Sequence, residues 1–290
     1  MKSDVLRWTL FRVVWSCFFG AAILLSAPSA RATSYDVSLD WTLYGDLNQN
    51  TIPVIGSMAC GPTSAVNSFV YLQNSYPDIY DHYLVPDLHS TPDIYENDEL
   101  VTVAEILAYD YMHTDITDGT WSDWFLYGKW DYIEEKAPGS TIYAAQKISA
   151  WSRPPVPKPS WVSNVWPTWS FLYDELAASE DVEILINGTY DHYLTLTSFY
   201  WDDLDSDGII DGAEDAWIGF IDPWTGAWGI SDIWHVDYLG ESVIATNYDG
   251  GLFAITMAAG ESPIPEPSTA LLLAVGLAAL AATKRRRSLH

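Results

Sequence analysis

Cysteine and basic residues are the two things that this chain of 290 residues has little of. It has 2 cysteines and 13 lysines and arginines, against 39 aspartates and glutamates, which gives a net charge of −26. Such an excess of acids repels phosphate backbones and anionic lipid surfaces, so the composition argues against nucleic acid as a partner. With 49% hydrophobic residues the chain has enough apolar mass for a core, which argues against disorder throughout.

The few bases are concentrated at the two ends and in one internal stretch. Between Thr33 and Ser262 there are 5 bases against 37 acids. These five bases are Lys129, Lys136, Lys147, Arg153 and Lys158. We therefore expect the folded part of the chain to be more acidic than the whole.

Residues 1–32 have the three parts of a secretory signal peptide. Three bases lie within the first 12 residues, an apolar run covers residues 13–27, and Ala30-Arg31-Ala32 provides a cleavage site for signal peptidase. The run is shorter than the roughly 20 residues that span a membrane, so a signal peptide is favoured over an anchor. Cleavage removes Cys17 and leaves Cys60 as the one cysteine of the mature chain.

The C-terminus carries a second sorting signal, over residues 261–290. Pro265-Glu266-Pro267 precedes a mostly apolar segment from Ala270 to Ala282, which is marginal for a transmembrane helix, and four bases follow it. This order resembles the PEP-CTERM sorting tail of Gram-negative bacteria. The resemblance implies export through the inner membrane, brief retention by the bases, and cleavage by an exosortase, often in organisms that export polysaccharide.

The sequence between the two signals predicts one domain, residues 33–260, with its helices first and its sheet second. Apolar residues recur at helical spacing between Cys60 and about Ala150, whereas β-branched and aromatic runs separated by turns dominate from Asp181 to Met257. A proline cluster from Pro154 to Pro159 lies between them. It is either a domain linker or a crossover within one domain, which we prefer because neither flank is long enough for its own core.

Cys60 opens the first predicted helix, in the motif Cys60-Gly61-Pro62-Thr63-Ser64. A proline in the first turn costs the helix no hydrogen bond. A cysteine at a helix N-terminus lies at the positive end of the helix dipole, beside free backbone N–H groups that favour its thiolate and can bind an oxyanion. A single cysteine has no intramolecular disulfide partner, so reactivity is one reason for an exported protein to keep it.

His192 and Asp222 are the candidate partners of this thiol. A thiolate nucleophile needs a nearby histidine and a group that orients it, and both are typically far away in sequence. His192 begins a predicted strand directly after the turn Asn187-Gly188-Thr189, and Asp222 ends a later strand before Pro223. A carboxylate there would hold the imidazole tautomer and stabilise the imidazolium.

These motifs resemble the papain-like cysteine peptidases of the C39-like type and, more distantly, the secreted peptidases that degrade immunoglobulins. The resemblance implies that Cys60 is the nucleophile, His192 the general base and acid, and Asp222 the orienting residue. It also implies an oxyanion donor, for which Gln49 is the one glutamine between the signal peptide and Cys60. The implied fold class is α+β, with a helical N-terminal half whose nucleophile helix packs on a C-terminal antiparallel sheet.

The twelve residues from Asp203 to Glu214 have the spacing of an EF-hand calcium loop. Glycine is at position 6, a backbone carbonyl is offered at position 7, and acids are at positions 1, 3, 5, 9 and 12. The ligands so predicted are Asp203, Asp205, Asp207, Ile209, Asp211 and Glu214. Strands are predicted on both sides, so we expect a structural Ca²⁺ that orders the segment between His192 and Asp222. The alternative is an acidic, solvated turn.

Two classes of function stay open from the sequence. The first is an exported cysteine peptidase that hydrolyses peptide or isopeptide bonds of a protein substrate, with acyl transfer or deamidation by the same triad as a variant. The second is a calcium-stabilised, non-catalytic matrix or glycan-binding protein on the same fold, with extracellular polysaccharide as its partner. The 13 tryptophans outside the signal favour either sugar stacking or ordinary packing, of which packing is the commoner role.

Overall fold

The computed structural model describes residues 32–86, 97–152, 155, 157–238 and 240–264. The predicted signal peptide up to Arg31, the tail from Pro265 onward with its apolar segment, and Arg153 lie outside these residues. Within the described ranges, no helix is long and apolar enough to cross a membrane.

Nine strands and five α-helices build the described part of the chain. The strands are β1 (Thr33–Ser38), β2 (Thr141–Lys147), β3 (Val162–Ser163), β4 (Asp181–Asn187), β5 (Asp191–Asp203), β6 (Ala216–Asp222), β7 (Ala227–Tyr238), β8 (Glu241–Thr246) and β9 (Phe253–Pro263). The helices are α1 (Cys60–Ser75), α2 (Pro77–Tyr80), α3 (Asn97–Ile106), α4 (Ser122–Lys136) and α5 (Trp169–Ala177).

All nine strands belong to one mixed sheet, and six of them close into a ring. Strands β4 to β9 pair antiparallel in chain order, and β4 also pairs with β9, which closes the ring. Strand β1 pairs with the second half of β5, β2 pairs with β9, and β3 adds to β2 in parallel. The proline cluster thus connects two neighbouring strands of the same sheet.

The fold class predicted from the sequence is wrong. The protein is a large mixed sheet with few helices, not a papain-like α+β fold with a helical N-terminal half on a C-terminal antiparallel sheet. Strand β1 opens the described chain, and β2 and β3 lie between helices. The ring of Tyr35 on β1 stacks on that of Trp201 at 5.3 Å between centroids. Such a strand is specified by a partner far along the chain, which local periodicity does not reveal.

The core lies on both faces of β4 and β5. Leu185 and Tyr193 pack with the helices α1 and α4, whereas Ile184 and Leu194 pack in a second cluster with the other strands of the ring. Because successive side chains of a strand point to opposite faces, these two strands are covered on both sides. Helix α1 packs on one face of these two strands.

Candidate active site

Cys60 is the first residue of α1, as the sequence predicts, and the helix is fixed on β5 behind it. Every residue from Gly61 to Gln73 is buried. The hydroxyl of Thr195 on β5 donates to the backbone oxygen of Ser64 at 3.0 Å, and the two hydroxyls lie 2.8 Å apart. This buried pair sets the position of the helix start relative to the strand. The thiol itself is half-buried.

A close approach on the other side of the helix start explains the glycine after the cysteine. A Cβ on Gly61 would lie 2.9 Å from Cβ of Thr120, which is too short for a side chain. Thr120 follows the small turn closed by Asp115 and Gly119, and its backbone oxygen accepts a hydrogen bond of 3.0 Å from the Tyr193 hydroxyl. The turn, the helix start and β5 therefore pack together around Cys60.

His192 and Asp222 form a hydrogen-bonded pair. Nε2 of His192 lies 2.9 Å from Oδ1 of Asp222. The same carboxylate accepts the N–H of Trp224 at 2.8 Å and the hydroxyl of Tyr248 at 2.9 Å. The Tyr248 ring also stacks on the imidazole, with 5.4 Å between centroids. Three donors thus hold the carboxylate, and the carboxylate and Tyr248 together hold the imidazole.

The imidazole also interacts electrostatically with the thiol of Cys60. Because Nε2 faces Asp222, Nδ1 is the ring nitrogen left for the thiol. Burial lowers the pKa of His192, but its contacts with Asp222 and Cys60 outweigh burial and raise that pKa to about 9. Burial raises the pKa of Asp222, yet the hydrogen bonds from His192, Trp224 and Tyr248 bring it below its ordinary value. At neutral pH the thiol therefore lies beside an imidazolium–carboxylate pair.

Gln49 lies in the same cavity and is held from two sides. Its Nε2 donates to the backbone oxygen of Gly56 at 2.9 Å, and its backbone N–H donates to the oxygen of Pro223 at 2.7 Å. The residue is buried, and its Oε1 has no partner among the described residues. An amide nitrogen carries two hydrogens, of which the Gly56 oxygen accepts one.

One cavity of about 1310 Å³ brings the predicted catalytic residues together. Gln49, Cys60, His192 and Asp222 all line it. The sequence missed Tyr248, which orients both His192 and Asp222, and no motif announces it. It lies in a single turn, Tyr248–Gly250, between β8 and β9, and only closure of the ring brings it to the histidine.

The predicted calcium loop connects β5 to β6, and three of its acids converge. Carboxylate oxygens of Asp203, Asp205 and Glu214 lie within 4.8 Å of one another. Asp203 is 4% exposed, and its Oδ1 is buried without a partner among the described residues. Glu214 accepts hydrogen bonds of 2.8 Å from the indole N–H of Trp201 and from the N–H of Leu204. An all-oxygen donor set with one buried, unpartnered oxygen fits a hard cation such as Ca²⁺.

The remaining predicted ligands lie outside this convergent group. Asp207 accepts the N–H of Ile209, and Asp211 accepts the N–H of Ala213, each at 2.7 Å. The loop is anchored to β7 by His235, a role that the sequence does not reveal. Nδ1 of His235 accepts the N–H of Ile210, and the His235 N–H donates to the Ile210 oxygen, both at 2.8 Å. Burial lowers the pKa of His235, which keeps Nδ1 free to accept.

Comparison with known proteins identifies the tail and not the folded domain. Residues 263–287 match the family model described as the PEP-CTERM protein-sorting motif, which confirms the predicted tail. The motif implies export across the membrane of a Gram-negative bacterium and processing by an exosortase. No curated protein matches the chain. Neither finding supports the resemblance to papain-like cysteine peptidases.

Proposed function

We propose that the folded domain is an exported cysteine peptidase that hydrolyses peptide or isopeptide bonds through Cys60, His192 and Asp222. One observation carries the proposal: the thiol, the imidazole and the carboxylate line one cavity, where the imidazole is hydrogen-bonded to the carboxylate and interacts electrostatically with the thiol. The three groups come from the start of α1, the start of β5 and the end of β6, which are far apart in the chain. Nucleophile, base and orienting group in this order are the requirements of covalent acyl transfer.

In the proposed reaction, Cys60 and His192 react as a thiolate–imidazolium pair, and the Sγ thiolate attacks the substrate carbonyl carbon. The electron pair of the C=O bond moves to oxygen, where the second N–H of Gln49 and the backbone N–H of Cys60 would stabilise the charge. His192 then protonates the leaving amine, and a thioester remains. Water, deprotonated by His192, attacks the thioester and releases the acid and the thiol. An amine in place of water would give acyl transfer through the same thioester.

The rate of Cys60 alkylation by iodoacetamide, measured against pH on the mature chain, tests this proposal. We expect fast alkylation that persists well below pH 7, because the imidazolium stabilises the thiolate. The His192→Ala variant should react slowly, with a rate that rises only near the pKa of a free thiol, about 8.5. His82→Ala, which removes an exposed histidine paired with Asp81, is the control and should behave as the wild type. A wild-type profile like that of His192→Ala would exclude the enzyme.

The acidic loop is proposed to hold a structural Ca²⁺ through Asp203, Asp205 and Glu214. The support is the convergence of their oxygens and the buried, unpartnered Oδ1 of Asp203. Bound Ca²⁺ would neutralise acids that otherwise repel one another and would fix the connection between β5, which carries His192, and β6, which carries Asp222.

Terbium luminescence provides a direct test, because the Trp201 indole touches Glu214 and can sensitise a lanthanide in the loop. We expect emission that Ca²⁺ competes away, that Glu214→Gln abolishes, and that Glu241→Gln, an exposed acid on β8, leaves unchanged. Titration calorimetry that shows no heat of binding at millimolar Ca²⁺ would refute the site.

We propose further that the protein reaches the cell surface or the extracellular matrix, or is secreted, once the tail is cleaved. The support is the matched sorting motif, which follows directly on β9.

A further inference from the structure

The described walls of the catalytic cavity contain five aspartates and no lysine or arginine. Two of the five are neutralised, since Asp123 pairs with Lys147 and Asp222 pairs with His192. The other three are Asp118, Asp191 and Asp249, and no basic residue of the described ranges pairs with them. The cavity therefore carries an uncompensated negative charge around the thiol.

The three aspartates come from separate elements that the fold brings to the nucleophile. Asp118 belongs to the turn before Thr120, which packs on the start of α1. Asp191 directly precedes His192 on β5, and Asp249 directly follows Tyr248. Acids on several walls of a partly enclosed space focus a field that raises the local concentration of cations.

Exposed aromatic rings accompany these acids. Trp121, Tyr190, Trp224, Trp228 and Tyr238 line the cavity and are 45%, 46%, 49%, 43% and 46% exposed. Tyr190 is the chain neighbour of Asp191, and Trp224 follows Asp222 by two residues. Ammonium and guanidinium groups bind over aromatic faces as well as to carboxylates, so these rings and acids suit the same ligand.

We propose that this cavity recognises lysine and arginine side chains of its substrate, so that the class of substrate is a cationic peptide segment. Cleavage of that segment rests on the proposed function, whereas its binding does not. The net charge of the mature chain also favours a cationic ligand, because the segment from Thr33 to Ser262 has 37 acids against 5 bases and attracts cations from solution.

Charged thiol reagents measure this field at Cys60 without any need for turnover. The cationic trimethylammonium-ethyl and the anionic sulfonatoethyl methanethiosulfonates are similar in size and both form a mixed disulfide with the thiol. In low salt we expect the cationic reagent to react at least about ten times faster. In about 1 M salt, where the screening length is about 3 Å, the ratio of the cationic to the anionic reaction rate should approach one.

Two variants test whether the ratio of the cationic to the anionic reaction rate depends on the cavity aspartates. The double substitution Asp118→Asn and Asp249→Asn should reduce the low-salt ratio severalfold. Asp36→Asn removes an exposed acid on β1 outside the cavity and should leave it unchanged. A ratio of one or below in the wild type, or equal effects of the cavity variant and Asp36→Asn, overturns the proposal.

The outcomes separate this inference from the proposed function. Peptides with lysine or arginine, compared with matched glutamate peptides, are offered to the mature protein and to Cys60→Ser. Tighter binding of the cationic peptides by Cys60→Ser supports the inference even if the wild type cleaves nothing. A wild type that cleaves nothing would refute the proposed peptidase and leave the inference standing. Cleavage without a charge preference refutes the inference alone. Binding of a neutral polysaccharide that cationic peptides do not displace also refutes it, in favour of a glycan-binding cavity.

Discussion

Tyr248 touches His192 with its ring and Asp222 with its hydroxyl, so it positions the pair. Residues of this kind are invisible in a sequence, because a tyrosine in a turn has no motif. Cys60 and Asp222 were predictable because each begins or ends an element beside a glycine or a proline, and His192 because it lies at the start of a strand that follows a turn. Gln49 was predictable only through the family resemblance.

The Tyr248→Phe substitution tests this positioning role. The phenylalanine keeps the stacked ring but removes one of the three hydrogen bonds that lower the pKa of Asp222. The Asp222 pKa should rise, so that the imidazolium loses its partner at a higher pH. We expect the acid limb of the alkylation profile to move to higher pH and the rate near pH 5 to fall a fewfold.

Tyr190→Phe is the matched control for that experiment. It removes the hydroxyl of a second ring near His192, at 6.4 Å between centroids, that does not bond Asp222. An unchanged acid limb in Tyr248→Phe, or the same displacement in Tyr190→Phe, would contradict the role given to Tyr248.

At the scale of elements, the contact between α1 and β5 decides whether the thiol meets the imidazole. The start of α1 at Cys60 and the strands that carry His192 and Asp222 follow from local sequence, and the structure confirms them. The strands β1, β2 and β3 do not follow from it. They are short or irregular in pattern. The pairing of β1 with β5, of β2 with β9 and of β3 with β2 supplies the stability that their own residues lack.

The Thr195→Val substitution is expected to weaken the link between these elements. Valine has the shape of threonine but leaves the buried Ser64 hydroxyl without its partner and removes the bond to the Ser64 oxygen. The free energy of unfolding should fall by about 1–3 kcal/mol, the cost of an unsatisfied buried polar group. Alkylation of Cys60 should slow as the helix start moves away from His192.

Denaturant unfolding of both single variants and the double variant checks this account. Adding Ser64→Ala to Thr195→Val should restore part of the lost stability, because no orphaned side-chain hydroxyl then remains. Thr102→Val, at an exposed position of α3, should change stability by less than about 0.5 kcal/mol. Additive losses in the double variant would show that the two hydroxyls do not act as a pair.

At the scale of the whole molecule, one buried lysine joins the helices to the sheet. Nζ of Lys129 on α4 contacts Asp181 at 3.0 Å and Glu183 and Glu261 at 2.5 Å, on β4 and β9, and all four residues are buried. Burial raises the pKa of Glu183 to about 7, against the lowering effect of Lys129, and raises that of Glu261 as well. Three carboxylates around one base thus favour protonation of the cluster.

This cluster and His192 predict that the protein loses stability as the pH rises. Both Glu183 and His192 have folded pKa values above their ordinary ones, so each contributes most below its ordinary pKa and loses that contribution as pH passes about 7 and about 9 respectively. For His192 the rise from 6.5 to about 9 corresponds to about 3 kcal/mol, at about 1.4 kcal/mol per pH unit.

Urea unfolding between pH 5 and pH 9.5 measures these two contributions separately. Glu183→Gln should flatten the curve up to about pH 7, and His192→Ala should flatten it between pH 6.5 and about pH 9. Stability that rises with pH over this range in the wild type would contradict both assignments. Lys129→Met should lower stability at every pH by about 3–5 kcal/mol, because it leaves buried carboxylates without their base.

Strand β9 is the last described strand along the chain, and its pairing with β4 closes the ring. It pairs with β2, β4 and β8, contributes Glu261 to the buried cluster, and ends at Pro263, where the matched sorting motif begins. A chain exported from its N-terminus delivers this strand after the other eight described strands and directly before the matched motif. Until that moment β4 and β8 have an open edge and the helices lack one of their anchors to the sheet. Closure of the ring, which brings Tyr248 to His192, therefore requires the strand that immediately precedes the sorting motif.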